Sequence, residues 1–591
     1  NVPFRVALCF FFMIIVLPMA ARAQDAPETG GRVITASATT ERITLDGRLD
    51  EPAWETASPV SEFTQRELIE GAPATEKTEV RILYDKENIY VGVKCFDSDP
   101  GGIIHREMAR DADIDTDDNF TVVLDTFADK RNGYYFRTNP NGVIKDGLVS
   151  HGELDESWNG VWDVRAVMLA DGWSAEMLIP FKTLRFPAVS GTDWGINFGC
   201  IIRRKNGQLL WTAWYLNDCI FEVSKGGTLT ELSDVRRSRQ LDFKPYVLVG
   251  LEKVRGIDID RNFKYGLDVK YPVTSQLTLD LTTYTDFAQV ESDREQINLT
   301  QFDISYPEKR EFFLEGADIF SFASSNTNPF YSRRIGLTPD REQMPILGGA
   351  KLVGKAGSYN IGVIEMQTDD KDGYSGANYS VIRVKKDVLE KSYVGFIATN
   401  VSPGKAASNQ AYGVDFLYRT DRFMRKQNFE FGGYMAENRA EGLRRGNHAG
   451  RVLMNLPNDA YSVSLLYHEV GANYNPETGF VRRRNIRQHH AEFTLTPRPG
   501  IPGVKKLLFT PLNMDYYTDT GSRLVSRTTN FEPFGIEFNS GDTVILKVYG
   551  SYELVNNTFE RFRGKMKVPQ GGHTWWDYEF EVITSDNRPV N

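Results

Sequence analysis

The sequence is short of cysteine, histidine and long apolar runs, and each shortage removes a class of protein. Only four cysteines and seven histidines occur in 591 residues. Cys95, Cys200 and Cys219 lack C-x-x-C spacing, so neither a zinc ribbon nor a disulfide scaffold is in prospect; Cys200 with Cys219 is the one pairing left open. Beyond Met19 no apolar stretch reaches the ~20 residues of a spanning helix, so membrane insertion would have to use strands. Net charge is −10 and no basic cluster is interleaved with aromatics, which excludes nucleic acid as a partner. No G-x-S-x-G, H-E-x-x-H, C-x-x-C-H or phosphate-cradling loop occurs. His489 and His490 are adjacent and face opposite ways on a strand, which makes a poor metal pair. Carboxylates are plentiful, yet nothing singles out an acid and a nucleophile. An enzyme is therefore not the expectation, and an O-glycosyl hydrolase stands only as an alternative.

What the chain has instead is alternation. Mean hydropathy is −0.38, yet 12% of residues are aromatic. Phe263, Tyr265, Leu267, Val269 and Tyr271 interleave with Lys264, Gly266, Asp268 and Lys270, so a strand here has one greasy and one wet face. Similar runs return through the last 350 or so residues, enough for about fourteen spanning strands of 9–11 residues with their loops. In front, Arg5, an apolar stretch from Val6 to Met19 and Ala21-Arg22-Ala23 read as a secretory signal over 1–23.

These patterns divide the chain into a signal (1–23), a leader (24–40), a β-sandwich (41–232), a charged linker (233–240) and a barrel (241–591). The expected fold class is all-β, an N-terminal sandwich followed by a transmembrane antiparallel β-barrel in the outer membrane. The segment 286–350 breaks the alternation with mixed carboxylates, arginines and aromatics, so it belongs in the lumen or at a mouth. There Glu308, Lys309, Arg310, Glu311 and Glu315 are expected to pair with Arg333 and Arg334 as a plug, or to form a solvated loop. Trp576, Tyr578, Phe580 and Val582 still alternate near the end, so further strands are expected past Asn591.

Two motifs carry a family resemblance. Leu45-Asp46-Gly47-Arg48-Leu49-Asp50-Glu51-Pro52-Ala53-Trp54 and Asp171-Gly172-Trp173-Ser174-Ala175-Glu176-Met177-Leu178-Ile179-Pro180-Phe181 resemble, in the right order, segments of the carbohydrate-binding module family nine fold. Farther on, D-F-A-Q-V-E-S-D (286–293), P-E-K-R-E-F-F-L-E-G (307–316) and Y-S-R-R-I-G (331–336) resemble a bacterial family in which such a module precedes an uncharacterised outer-membrane barrel. Familiar members tend to read P-E-K-R-P-F-F, and Glu311 replaces that proline here.

The resemblance implies saccharide binding, for which aromatic faces and polar groups are needed. Trp158, Trp162, Arg137 and Asn139 are the candidates; Trp162, like Trp173, sits at an apolar strand position and is alternatively core, while Trp158 among Gly, Asn and acidic residues is the one expected to be exposed. Asp111, Asp113, Asp115, Asp117 and Asp118 crowd five carboxylates into eight residues. Calcium is the cofactor such oxygens would suit, and a solvated acidic turn is the other reading. The expected partners are membrane lipid and a saccharide or glycan, used in uptake, export or anchoring. The alternative is an envelope assembly protein whose sandwich, periplasmic or on the surface, binds another protein.

Overall fold

The computed structural model describes residues 31–588 apart from 151, 157, 188–190, 192, 234, 236–240, 253–259, 275, 286–295, 298–301, 323–326, 339–340, 405–406, 425, 444, 557, 562–565 and 586. The signal, most of the linker, the motif 286–293 and the last three residues lie outside the described residues.

Fourteen strands build the sandwich: β1 (Val33–Thr35), β2 (Ser37–Ala38), β3 (Thr64–Glu67), β4 (Thr78–Tyr84), β5 (Asn88–Phe96), β6 (Asn119–Asp125), β7 (Asn132–Thr138), β8 (Lys145–Ser150), β9 (Glu153–Asp155), β10 (Asp163–Leu169), β11 (Gly172–Pro180), β12 (Trp194–Ile202), β13 (Gly207–Leu210) and β14 (Gly227–Thr230). One sheet runs β1-β14-β12-β6-β7-β8-β9, with β13 and β3 off β12; the other runs β10-β11-β5-β4-β2. Alternate apolar residues of both sheets, such as Val91 and Val93 on β5 and Ile196 and Phe198 on β12, meet in a single buried core. The outer face of the first sheet carries a second apolar layer, Val123, Tyr135, Val149 and Leu210, covered by Ile220 and Val223 of the loop before β14.

The two separated sandwich motifs are one unit in space. Short helix α1 (Pro52–Thr56) lays Trp54 on the outer face of the second sheet. Its Nε1 donates to Glu176 on β11 at 3.0 Å, while the Asp46 and Gly47 N–H groups donate to the other carboxylate oxygen, each at 2.9 Å. Glu176→Ala would strand three donors, two of them buried and worth about 1–3 kcal/mol each. A drop of about 3 kcal/mol in sandwich stability is expected in urea unfolding followed by tryptophan fluorescence.

Burial pushes the Glu176 carboxyl up to about 7, Asp125 to about 7 and Asp118 to about 6, in each case against opposing backbone N–H donors. Each group holds its proton more tightly folded than unfolded, so its contribution is complete below about pH 4 and is lost as pH rises through 6 to 7. Ion pairing holds Glu76 and Glu79 below their usual range, despite burial; their contribution fails only in stronger acid. The sandwich's urea midpoint should therefore peak near pH 5 and fall toward pH 8; a midpoint rising over that interval would contradict the assignment.

Among the described residues the second region is an antiparallel meander of sixteen strands. They are β15 (Asp242–Glu252), β16 (Asp260–Pro272), β17 (Leu277–Thr283), β19 (Ile346–Ala356), β20 (Tyr359–Thr368), β21 (Ala377–Val388), β22 (Ser392–Pro403), β23 (Asn409–Phe423), β24 (Gln427–Arg439), β25 (His448–Pro457), β26 (Tyr461–Val470), β28 (Ile486–Leu495), β29 (Val504–Thr518), β30 (Leu524–Phe538), β31 (Thr543–Val555) and β34 (Gly571–Ile583). Two small pairs sit in its loops, β18 (Thr327–Asn328) with β27 (Phe480–Val481) and β32 (Phe559–Arg561) with β33 (Met566–Val568). The count exceeds the fourteen expected, because several hairpins turn in two to four residues and leave more chain for strands.

Phe263 and Tyr265 are 66% and 61% exposed, and Val414, Phe416, Met435, Tyr467, Tyr578 and Phe580 likewise point outward. This is the lipid face of a transmembrane barrel wall. β15 and β34 are the two ends of the ladder, and among the described residues no register joins them.

Candidate functional site

The barrel's two ends differ. At one, hairpin turns are short, as at 357–358, 389–391, 424–426, 458–460 and 539–542; at the other lie 369–376, 440–447, 471–485, 556–570 and the long 284–345 segment. The sandwich is docked on the short-turn end. Asp129 accepts from Lys355 at 2.8 Å and Arg131 pairs with Asp387 at 3.1 Å. Glu222 pairs with Lys391 at 2.7 Å, Lys225 with Asp421 at 3.0 Å and Glu67 with Arg498 at 2.9 Å. The Asn217 backbone carbonyl accepts from Asn428, its side-chain oxygen accepts from the Asp459 N–H, and Asn206 donates to the Asn539 carbonyl.

Inside, the segment before β19 packs against the inner wall. Helices α2 (Glu311–Leu314) and α3 (Ala317–Phe320) set Phe312, Phe313, Ile319 and Phe320 against Val353, Ile364, Met366 and Val381. At Gly362 a Cβ would lie 2.6 Å from the Phe320 ring, so the wall needs glycine where the plug approaches. Arg383 and Asp415, both without exposed side-chain surface, form a bidentate pair at 2.6 and 2.7 Å. The same guanidinium donates to the Ile319 and Ser321 carbonyls, and Lys385 donates to the Asp318 carbonyl. The Arg383–Asp415 bridge crosses Gly395 of the intervening strand, where a Cβ would sit 2.3 Å from the Asp415 oxygen.

Nearer the sandwich, a charge node joins all three parts. Glu315 of the plug accepts from Arg185 of the sandwich and from Lys270 of β16. Lys351 of β19 bridges to Asp280 at 3.0 Å and donates to the backbone carbonyls of Phe312 and Glu315. Across the lumen, the inward groups of β28–β34 are polar: Gln488 donates to Asp515 at 2.7 Å, Thr510 to Glu532 at 2.8 Å, Lys547 to Glu581 at 2.6 Å and Tyr549 to Glu579 at 3.1 Å.

The residues singled out from sequence in the segment 286–350 take partners other than those expected. Glu308 pairs with Arg310 at 2.7 Å, and Lys309 gives its backbone N–H to Glu308. Arg310 also donates to the Ile335 and Ser332 carbonyls, and Glu311 pairs with Lys244. Arg333 and Arg334 donate to the Pro307 and Gly479 carbonyls, because the turn carrying them runs against backbone rather than against the helix-borne carboxylates. Glu311 opens α2, a position that tolerates proline equally well, so the departure from P-E-K-R-P-F-F leaves the helix intact. Sequence reasoning missed Arg185, Lys270, Asp280, Lys351, Arg383, Lys385 and Asp415. For all of them but Arg185, which lies in a sandwich loop, the signal is a charge at the inward position of a strand whose neighbours face lipid, as in Ile382-Arg383-Val384-Lys385.

The sandwich candidates are placed as follows. Trp162 is buried, and its Nε1 donates to Asp146 at 2.7 Å. Arg137 is buried on the sheet's outer side, donating to Asn119 at 2.9 Å and pairing with Asp115. Asn139 is buried and donates to Asp117 and to the Glu107 carbonyl. Trp158 keeps some surface but packs on Tyr134 and Phe136, with ring centroids at 5.3 and 6.3 Å. The four residues therefore form no open shelf, and the exposed groups beside Trp158 are Asn159 and Val161.

The acidic run is dispersed. Asp117 accepts from the Arg106 and Glu107 N–H groups, Asp118 from those of Ile104 and Arg203, and Asp113 from that of Asp115. Among the described residues no three histidine, cysteine or carboxylate groups converge as metal ligands.

With this geometry in hand, the chain can be set beside known proteins. A family model described as a domain of unknown function, DUF5916, matches residues 238–355. No curated protein matches. A family-nine carbohydrate-binding module from Caldicellulosiruptor kristjanssonii, solved with cellotriose, is similar at 16% identity over 34% of this chain and 93% of that one, with a TM-score of 0.25. Two Pseudomonas aeruginosa proteins, OccK7 (OpdD) and OpdQ, are similar at 8% identity over 79% of this chain and 97% of theirs, with TM-scores of 0.24 and 0.26. No residue role passes from any of them to this chain.

Proposed function

We propose that the protein is an outer-membrane barrel that handles a saccharide, with the sandwich stationed over one mouth to capture or release it. The observation that carries this reading is the polar inner arc of β28–β34, whose hydroxyl, amide and carboxylate groups suit a hydroxyl-rich solute. The sugar-module-like motifs at 45–54 and 171–181 support the ligand class. Short turns of bacterial barrels lie on the periplasmic side, which supports a periplasmic position for the docked sandwich. Protease added to intact cells should spare the sandwich and cut it only after the outer membrane is opened.

Liposomes holding the purified protein should swell in neutral mono- to trisaccharides, faster when residues 302–345 are deleted. No swelling by either form would sink the conduit. Calorimetry of the purified protein against a glycan panel should show saturable heat for at least one glycan.

A second reading, an envelope assembly protein whose sandwich binds protein, is favoured by the burial of Trp162, Arg137 and Asn139. A panel with no heat for any glycan would select it.

A further inference from the structure

The sandwich core brings together two cysteines far apart in sequence. Cys95 ends the apolar row Val91, Val93, Cys95 on β5, and Cys200 belongs to the row Ile196, Phe198, Cys200 on β12. These strands lie in opposite sheets, and both thiols are buried in the core between them. Their sulfurs are 4.0 Å apart. The pairing left open by sequence, Cys200 with Cys219, is disfavoured by sheet geometry. A Cβ on Gly199, next to Cys200, would lie 2.7 Å from Ile220, so that face meets the loop carrying Cys219 while Cys200 points the other way.

We propose that Cys95 and Cys200 are a disulfide-forming site, closed across the two sheets in the exported protein. Closure brings the sulfurs about 2 Å nearer, a shift that side-chain rotation and a small approach of the sheets supply. The two thiols lose two protons and two electrons as the S–S bond forms. The acceptor is a disulfide-bearing thiol oxidoreductase, which leaves as its dithiol. Burial holds the Cys95 thiol protonated in the folded sandwich, so the bond forms while the chain is still folding, when both sulfurs are within reach of water and the oxidant. The link would close a loop spanning 105 residues and pin the sheets on which the docked face stands. It rests on the export reading above, because that compartment supplies the oxidant.

Envelope fractions should be quenched with a maleimide, denatured, digested and analysed by mass with and without reductant. The expected result is a Cys95 peptide linked to a Cys200 peptide, with Cys219 alkylated. Reductant should raise protease sensitivity of the wild-type sandwich roughly a hundredfold and leave a Cys95→Ala/Cys200→Ala variant unchanged. Envelope protein with all three thiols alkylated, or with a link to Cys219, overturns the proposal. If the chain is found only outside the envelope, the export reading fails instead. The reduced full-length protein, refolded in detergent with oxidised glutathione, then decides: a Cys95–Cys200 link supports the site and its absence overturns it.

Discussion

Glu315→Gln is expected to free the plug from the sandwich and the wall and raise saccharide flux through liposomes at least tenfold. Glu315 is the carboxylate on which Arg185 and Lys270 converge, with Lys351 beside them. Neutralising it leaves three cations facing Asp280 alone among the carboxylates named there. Arg185, Lys270 and Glu315 keep 21–42% of their side-chain surface, so removing the shared carboxylate costs about 1–3 kcal/mol rather than the full penalty of a buried pair, and the cost falls on the docked state, where the sandwich contributes its arginine. Arg185→Ala should act in the same direction but more weakly, because Glu315 keeps Lys270. Equal flux from wild type and Glu315→Gln, with the sandwich still protected from protease, would show that the node does not hold the mouth closed.

Asp415→Ala is expected to cost about 3–5 kcal/mol of barrel stability, since it strands the Arg383 guanidinium where neither side chain meets solvent. Arg383 also holds the Ile319 and Ser321 carbonyls, so the plug should loosen together with the wall. The loss should appear as a lower urea midpoint in detergent. An Arg383→Leu/Asp415→Leu double variant should recover most of that midpoint, because no buried charge remains unpaired. Its plug, lacking the two carbonyl anchors, should still be cut faster by protease than in wild type. A single variant as stable as wild type would mean that water reaches the guanidinium.

The parts legible in the sequence were those written in short-range order. The alternation from Phe263 to Tyr271 needs only neighbours two apart, and the structure turns its aromatics outward. The motif pair 45–54 and 171–181 was legible as a resemblance, and Glu176 shows why both halves occur, since it ties Trp54 to β11. Side-chain partnerships were not legible. Arg383 and Asp415 stand 32 positions apart and meet only because β21, β22 and β23 align them across Gly395. Arg185 and Glu315 are 130 positions apart and belong to different halves of the chain. At Trp158 the resemblance suggested a sugar platform, whereas the Tyr134 and Phe136 rings against it and against Trp162 make the site a core edge.

The ring of turn contacts under the sandwich has a further consequence. Asp129–Lys355, Glu222–Lys391 and Glu67–Arg498 are partly buried, and at about 1 kcal/mol apiece none of them would hold the sandwich alone. Because the turns are fixed to one rigid wall, each contact made raises the effective concentration of the next. The attachment is multivalent within a single chain: loss of one clasp is tolerated, while ionic strength weakens all of them together. The sandwich should thus leave the mouth steeply over a narrow range of salt.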